Sequence, residues 1–180
     1  MRKLVMIAVA ALAFGLSSNT ASAQGISVEL DLGYNSPAGD FGDIYDGGVS
    51  VALHPRFKMN DKMAVGLSLG ANAFAGGILT SGASTDISAA GITTILGTVQ
   101  YKLMDGKITP YGELGIGMFS GKVLSTDILL SGGTEESVSN FGFAPEVGVM
   151  IGFLNASVTY AMAGDIKYTQ FGLGFRFGAK

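Results

Sequence analysis

The chain has 180 residues, 48% hydrophobic and 14% charged, with 28 glycines and a mean hydropathy of +0.43. That length suits one domain, and charge well below the usual quarter or so of residues is too sparse to cover an ordinary water-facing surface. The absence of cysteine excludes disulfides, thiolate metal sites and a cysteine nucleophile, and the formal net charge of −3 argues against a nucleic-acid partner, which wants a basic face.

Arg2 and Lys3 precede an apolar run from Leu4 to Leu16, and Ala21-Ser22-Ala23 offers small residues for cleavage. Residues 1–23 are therefore expected to be a cleavable signal peptide; the run is shorter than the roughly 20 residues a spanning helix needs. Residues 24–180 then form the exported domain, and losing Arg2 and Lys3 takes the basic count from 11 to 9 against 14 acids. No later segment reads as a spanning helix, since Gly or polar residues interrupt every apolar stretch. A closed β-barrel is the remaining way for such a chain to satisfy its backbone groups in lipid.

In chain order the strands announce themselves by period-two alternation. The first runs from Ile26 to about Asn35, with Ile26, Val28, Leu30, Leu32 and Tyr34 opposing Ser27, Glu29, Asp31 and Gly33. Ser36 to Gly48 is a loop with Pro37, Asp40, Asp43 and Asp46. Strands two and three form a hairpin over Val49 to Ala73 about Asn60-Asp61-Lys62, with Val49, Val51, Leu53, Phe57, Val65, Leu67 and Leu69 on one face and His54, Arg56 and Lys58 on the other. Ala75 to about Ala89 is a Gly/Ser/Thr-rich loop. Strands four (about Thr93 to Leu103) and five (about Lys107 to Phe119) flank Asp105-Gly106, which predicts a two-residue type I′ turn pairing Lys102 with Thr109, Gln100 with Tyr111 and Thr98 with Glu113. The longest loop, Ser120 to Asn140, carries Asp127, Glu135 and Glu136 and the apolar patch Ile128-Leu129-Leu130. Strand six runs from about Phe141 to Phe153, a tight turn is expected at Leu154-Asn155, strand seven covers about Ala156 to Ala163, and strand eight ends the chain on Phe171, Leu173, Phe175 and Phe177.

The connections alternate long and short, as in an outer-membrane barrel with tight periplasmic turns and longer external loops. Parity puts Glu29, Asp31, Glu113 and Glu146 together with His54, Arg56, Lys58, Lys102 and Arg176 on the polar faces, and no charge on the apolar faces. An Arg or Lys facing lipid at midplane costs about 2–4 kcal/mol, so the polar face is expected inward, as a structural ion network filling the lumen with Gly, Ala and Ser. Phe57, Tyr101, Phe153, Phe175 and Phe177 fall where an interfacial girdle would. A soluble lipocalin-like ligand carrier, apolar inside, is the rival; it would need a denser exterior charge.

These residues resemble the small outer-membrane β-barrel domain family, the OmpA membrane domain and OmpX type. The resemblance covers Gly25 to Gly178, and its most specific piece is Asn35-Ser36-Pro37-Ala38-Gly39-Asp40-Phe41-Gly42, followed by Tyr45 and Gly48. It implies an eight-stranded antiparallel up-and-down transmembrane barrel in the outer membrane of a Gram-negative type cell, monomeric, with outer-membrane lipid and the barrel assembly machinery as partners. The role it implies is structural, adhesive or unassigned, and with the acidic external loops the expected function is a structural, adhesive or surface-binding one. Many such barrels end on an aromatic residue, whereas Phe177 is followed here by Gly178-Ala179-Lys180.

For chemistry, His54 is the only histidine; a Ser-His pair with Ser68 would need an orienting acid and substrate access, and a plugged eight-stranded lumen offers no entry. The expectation is not an enzyme, with no catalytic residue, cofactor or metal. Asp40, Asp43 and Asp46 are spaced by three, against the two of an EF-hand loop. Together with Glu135 and Glu136 they read as acidic external loops. Whatever the protein binds is expected there, with a narrow channel for small solutes or ions as the alternative function.

Overall fold

The computed structural model describes residues 25–76, 79–81, 84–86, 89–124 and 136–178. The expected signal peptide, the Ile128-Leu129-Leu130 patch, Asp127, Glu135 and Ala179-Lys180 lie outside the described residues, as do the side chains of Asp86, Lys122 and Glu136. In chain order the elements are β1 (Ile26–Pro37), a short helix α1 (Asp40–Ile44), β2 (Tyr45–Lys58), β3 (Met63–Gly76), β4 (Leu79–Ser81), β5 (Ser84–Asp86), β6 (Ala89–Lys102), β7 (Ile108–Leu124), β8 (Glu136–Ile151), β9 (Leu154–Ala163) and β10 (Ile166–Gly178).

Eight of the described strands close into an antiparallel barrel in the order β1-β10-β9-β8-β7-β6-β3-β2, and β4 and β5 pair as a separate ribbon within the stretch expected to be loop. Closure is made by β1 against β10, in register from Ser27 opposite Gly178 to Pro37 opposite Tyr168. Each of the eight strands therefore has a hydrogen-bonded neighbour on both sides, as a barrel standing in hydrocarbon requires.

The polarity is that of an inside-out protein. Val49, Leu67, Val147 and Leu173 are 65%, 48%, 65% and 66% exposed, while Glu29, Arg56 and Gln100 are 1%, 2% and 1% exposed. Apolar side chains point outward and charged ones into the lumen, so the arrangement of a lipocalin-like carrier is not the one adopted. The strands also run past the apolar alternation: β2 begins at Tyr45, β6 at Ala89 and β8 at Glu136, and β7 continues to Leu124. Backbone pairing persists there although the outward residues turn small or polar, as at Gly91, Thr93, Ser120 and Ser139. Hydrophobic alternation therefore marks less than the full hydrogen-bonded length of a strand.

Two turns differ from expectation. At the β6–β7 hairpin Lys102 pairs with Tyr111 and Gln100 with Glu113, two residues away from the register of a two-residue turn, and the Leu103 N–H donates to Pro110 O at 2.9 Å. A slip of two leaves every side chain on its own face, so parity cannot detect it; the adopted register lets Gln100 Nε2 donate to Glu113 Oε2 at 2.9 Å. At the β8–β9 hairpin the turn is Gly152-Phe153, with Ile151 opposite Leu154. Gly152 takes φ +64, which a residue without Cβ adopts at little cost. Asn155 is thereby moved from the expected turn into β9, where it is 2% exposed.

Tyr111 lies across Gly148, its cross-strand neighbour, and a Cβ on Gly148 would come within 2.5 Å of the Tyr111 ring. Gly148→Ala is expected to destabilise the barrel by about 1–3 kcal/mol through overpacking, read as a lower urea midpoint. Gly112→Ala is the control, because a Cβ there meets nothing nearer than Glu146 O at 4.0 Å, and it is expected to leave the midpoint almost unchanged.

Candidate functional site

The two ends of the barrel differ. The start of β1, the end of β10 and the hairpins after β2, β6 and β8 share one end, here the turn end; α1 and the far ends of β3, β7 and β9 share the other, the loop end.

The turn half of the lumen is a charged cluster assembled by register. Glu29 of β1 stands opposite Arg176 of β10 and His54 of β2, and Arg56 is opposite Ser27. Arg56 donates from Nε and Nη2 to Glu113 Oε2 at 3.0 and 2.8 Å, and its Nη1 lies 3.2 Å from Glu29 Oε2. Arg176 donates from Nε to the same Glu29 oxygen at 2.6 Å and from Nη2 to Gln100 Oε1 at 3.3 Å. The two guanidiniums and the carboxylates of Glu29 and Glu113 thus form one chain across the lumen. Buried charges persist only when paired in this way.

Neutral donors complete it. Asn155 Nδ2 donates to Glu29 Oε1 and Tyr111 Oη, both at 2.8 Å, Tyr111 Oη donates to Glu146 Oε1 at 2.7 Å, and Thr159 Oγ1 donates to Glu146 Oε2 at 2.7 Å. His54 Nε2 lies 3.1 Å from Asp31 Oδ2, and the cross-strand partner of Asp31 is Gly174, where any Cβ would collide with that carboxylate.

Two residues expected in the cluster stand outside it. Lys58 Nζ pairs with Asp61 Oδ1 at 3.0 Å in the β2–β3 turn, its side chain 34% exposed. Lys102, at the end of β6, makes no ion pair with a carboxylate among the described residues. Both lie at strand ends, where a long flexible stem lets the ammonium reach water. The hydrogen bond and charge of Lys58 hold the Asp61 carboxyl below its ordinary range. Asn155, Gln100, Tyr111 and Thr159 were not among the expected network residues.

The loop half of the lumen is not filled by Gly, Ala and Ser alone. Tyr45, Phe74, Ile92, Leu96, Phe119, Ala163, Ile166 and Tyr168 form a buried apolar cluster, with Phe119 at 0% exposure. Phe41 of α1 packs down onto it, its ring 4.7 Å from that of Tyr45 and 5.0 Å edge-on to Phe74, while Tyr168 lies 5.3 Å from Phe74 on the other side. The stretch from Asn35 to Gly48 builds this lid. Asn35, fully buried, donates to Asn72 Oδ1 at 3.1 Å and accepts from Ser50 Oγ at 3.3 Å; Gly39 turns the chain at φ +60; and a Cβ on Gly48 would strike the Phe74 ring.

Between the ionic and the aromatic layers lies a cavity of about 40 Å³ lined by His54, Ser68, Asn72, Thr98, Glu113 and Glu146 among others. His54 Nδ1, Asp31 Oδ1 and Thr98 Oγ1 have no protein partner. The space suits a few waters bridging such groups and is too small for a lipid or peptide substrate. His54 and Ser68 face this interior and not a cleft.

Of the expected external acids, Asp40 and Asp43 lie on α1 and Asp46 is exposed at the start of β2. Among the described residues no three His, Asp or Glu side chains converge as a metal site.

No family model matches the chain, and no curated protein matches it. Solved structures do. The attachment invasion locus protein Ail of Yersinia pestis, in complex with the heparin analogue sucrose octasulfate, is 19% identical, covers 86% of this chain and 99% of its own, and superposes with a TM-score of 0.57. Neisserial surface protein A is 13% identical over 86% of this chain and 97% of its own, with a TM-score of 0.58. At these identities the likeness is one of fold, that of small eight-stranded outer-membrane barrels.

Proposed function

We propose that the protein is an integral outer-membrane barrel whose lumen is closed at both ends and whose external loops carry a structural or adhesive surface role. The observation that carries this is the inverted polarity: a belt of exposed Val, Leu, Ile and Phe around a buried Glu29–Arg56–Glu113 chain. A water-soluble domain would waste its apolar surface on water; in a bilayer the same surface is the anchor. The turn end then faces the periplasm and the loop end the exterior, with Phe57, Tyr101, Phe153 and Phe177, all exposed, near the periplasmic boundary and Tyr34, Phe141 and Phe171 nearer the outer one.

The external surface selects its partners by charge. By sequence the loop-end connections hold Asp40, Asp43, Asp46, Asp86, Asp127, Glu135, Glu136 and Asp165 against Lys122 and Lys167. Such a surface repels polyanions of the kind seen on Ail, so this chain is expected to bind neutral or cationic partners. A narrow channel needs a continuous water path, and the ionic and aromatic layers stand in series against one.

Fractionation tests the reading: the protein should stay with outer membranes and need detergent for release, and its folded form should migrate differently on gels before and after boiling. Recovery in the soluble periplasmic fraction would overturn it. A lysine in the apolar belt supplies a sharper test. Val147→Lys, in the middle of the outward run of β8, is expected to lower the stability of the bilayer-embedded barrel by about 2–4 kcal/mol, whereas Ser139→Lys, beyond that run, is expected to be tolerated.

A further inference from the structure

The turn end carries chemistry that the lumen network leaves unused. A concavity of about 610 Å³ at the barrel rim is lined by Lys102, Lys107, Thr109 and Arg176 together with Ile151 and Phe153. Neither lysine has a carboxylate within ion-pair distance among the described residues. Arg176 spends Nε and Nη2 on Glu29 and Gln100, but its Nη1 meets only the Met150 Sδ, a weak acceptor. Donor capacity is therefore gathered at one place without an oxygen to receive it. Glu29 is the carboxylate facing Arg176, and Asp105, in the same hairpin turn as Lys107, makes no ion pair among the described residues.

The concavity is two-sided. Met150 is buried toward the lumen, whereas Ile151 and Phe153 are 52% and 59% exposed on the outer surface, and Phe153 stacks on Phe175 with ring centroids 6.3 Å apart. A ligand seated there would have its anionic part against the cations and an apolar part descending over the aromatic pair. That is the shape of a phospholipid, with its phosphate at the interface and its chains alongside the barrel. Charge along the barrel axis agrees, since Lys58, Lys62, Lys102 and Lys107 outnumber Asp61 and Asp105 in the two larger hairpin turns and their flanks, while the loop end is acidic.

We propose that Lys102, Lys107 and Arg176 form a seat for the phosphate headgroup of an anionic phospholipid in the leaflet at the turn end. The proposal rests on the membrane-spanning reading above. Bound lipid would brace the ends of β6, β7, β8 and β10, all of which contribute residues to the concavity.

The test is native mass spectrometry of the purified barrel released from nanodiscs of equal phosphatidylglycerol and phosphatidylcholine. The wild type is expected to retain phosphatidylglycerol preferentially. Lys102→Gln/Lys107→Gln is expected to reduce that preference by roughly tenfold or more, since each basic residue at an anionic surface is worth several-fold. Lys167→Gln, at the loop end, should keep it. Equal retention of the two lipids by a barrel that still shows its heat-dependent gel shift would overturn the seat and leave the membrane reading standing; absence of that shift in the wild type would overturn the membrane reading itself. Displacement of the lipid by millimolar inorganic phosphate would point to a soluble-anion site and overturn the lipid assignment.

Discussion

Arg56→Met is expected to lower the stability of the folded barrel by about 3–5 kcal/mol, the cost of leaving buried charge without its partner. Methionine keeps much of the length of the side chain, so packing is little altered and the loss is electrostatic. Glu113, 7% exposed, loses both guanidinium donors and keeps only Gln100; Glu29, 1% exposed, keeps Arg176 and Asn155. The urea midpoint of the barrel in detergent or vesicles, followed by the heat-dependent gel shift, reads the effect. Arg56→Met/Glu113→Gln should recover a good part of the loss, because the second change removes the stranded charge, and the double-mutant cycle isolates the coupling of the pair. An Arg56→Met midpoint equal to the wild type would mean that water, and not Arg56, carries the charge of Glu113.

Phe119→Ala is the second large effect expected, about 3–5 kcal/mol for emptying a fully buried aromatic site. Phe119 has no exposed surface and sits in the cluster with Phe74, Tyr45 and Tyr168, so its neighbours have little freedom to collapse into the space. The same variant separates the two layers of the lumen. With the aromatic layer breached and the Arg56–Glu29–Arg176 chain intact, planar-bilayer recordings should remain at baseline. Stable currents from Phe119→Ala alone would show that the ionic layer is not a seal.

The two layers were unequally legible. Parity of the residues placed Glu29, Asp31, His54, Arg56, Glu113, Glu146 and Arg176 on one face, and the barrel brings all seven into its interior. Parity does not say which of them touch. Arg56 reaches Glu113 because β2 and β7, 57 residues apart at that contact, meet across the lumen, a relation fixed by the cumulative register of the strands between. The β6–β7 slip of two residues decides whether Gln100 or Thr98 faces Glu113. Hydrophobic alternation is blind to such a slip, and the choice falls to side-chain contacts inside the barrel.

The aromatic layer was less visible still. Leu96, Phe119 and Tyr168 lie on the inner face by parity, but each strand offers only one or two of them, among glycines and polar residues. Read along the inner face of all strands together, the apolar residues collect at the loop end, and that was the available signal. Phe41 and Tyr45 carried none, since they sit in a segment that reads as loop and becomes lid only when α1 folds over Phe74. Lys58 and Lys102 erred in the opposite sense: an inward position at a strand end does not hold a long side chain inside when water is within reach.

What the sequence by itself determined is the eight strands of the barrel, their antiparallel order and which face of each turns outward. Each of these follows from period-two alternation and from the cost of placing charge in hydrocarbon, and both are properties of single strands. Only the tertiary structure decided which inward residues meet, that the interior is ionic at one end and aromatic at the other, and that Lys102, Lys107 and Arg176 share one concavity. Those depend on the stagger between strands and on barrel closure, and a one-strand pattern of period two is unchanged by any even shift of its neighbour.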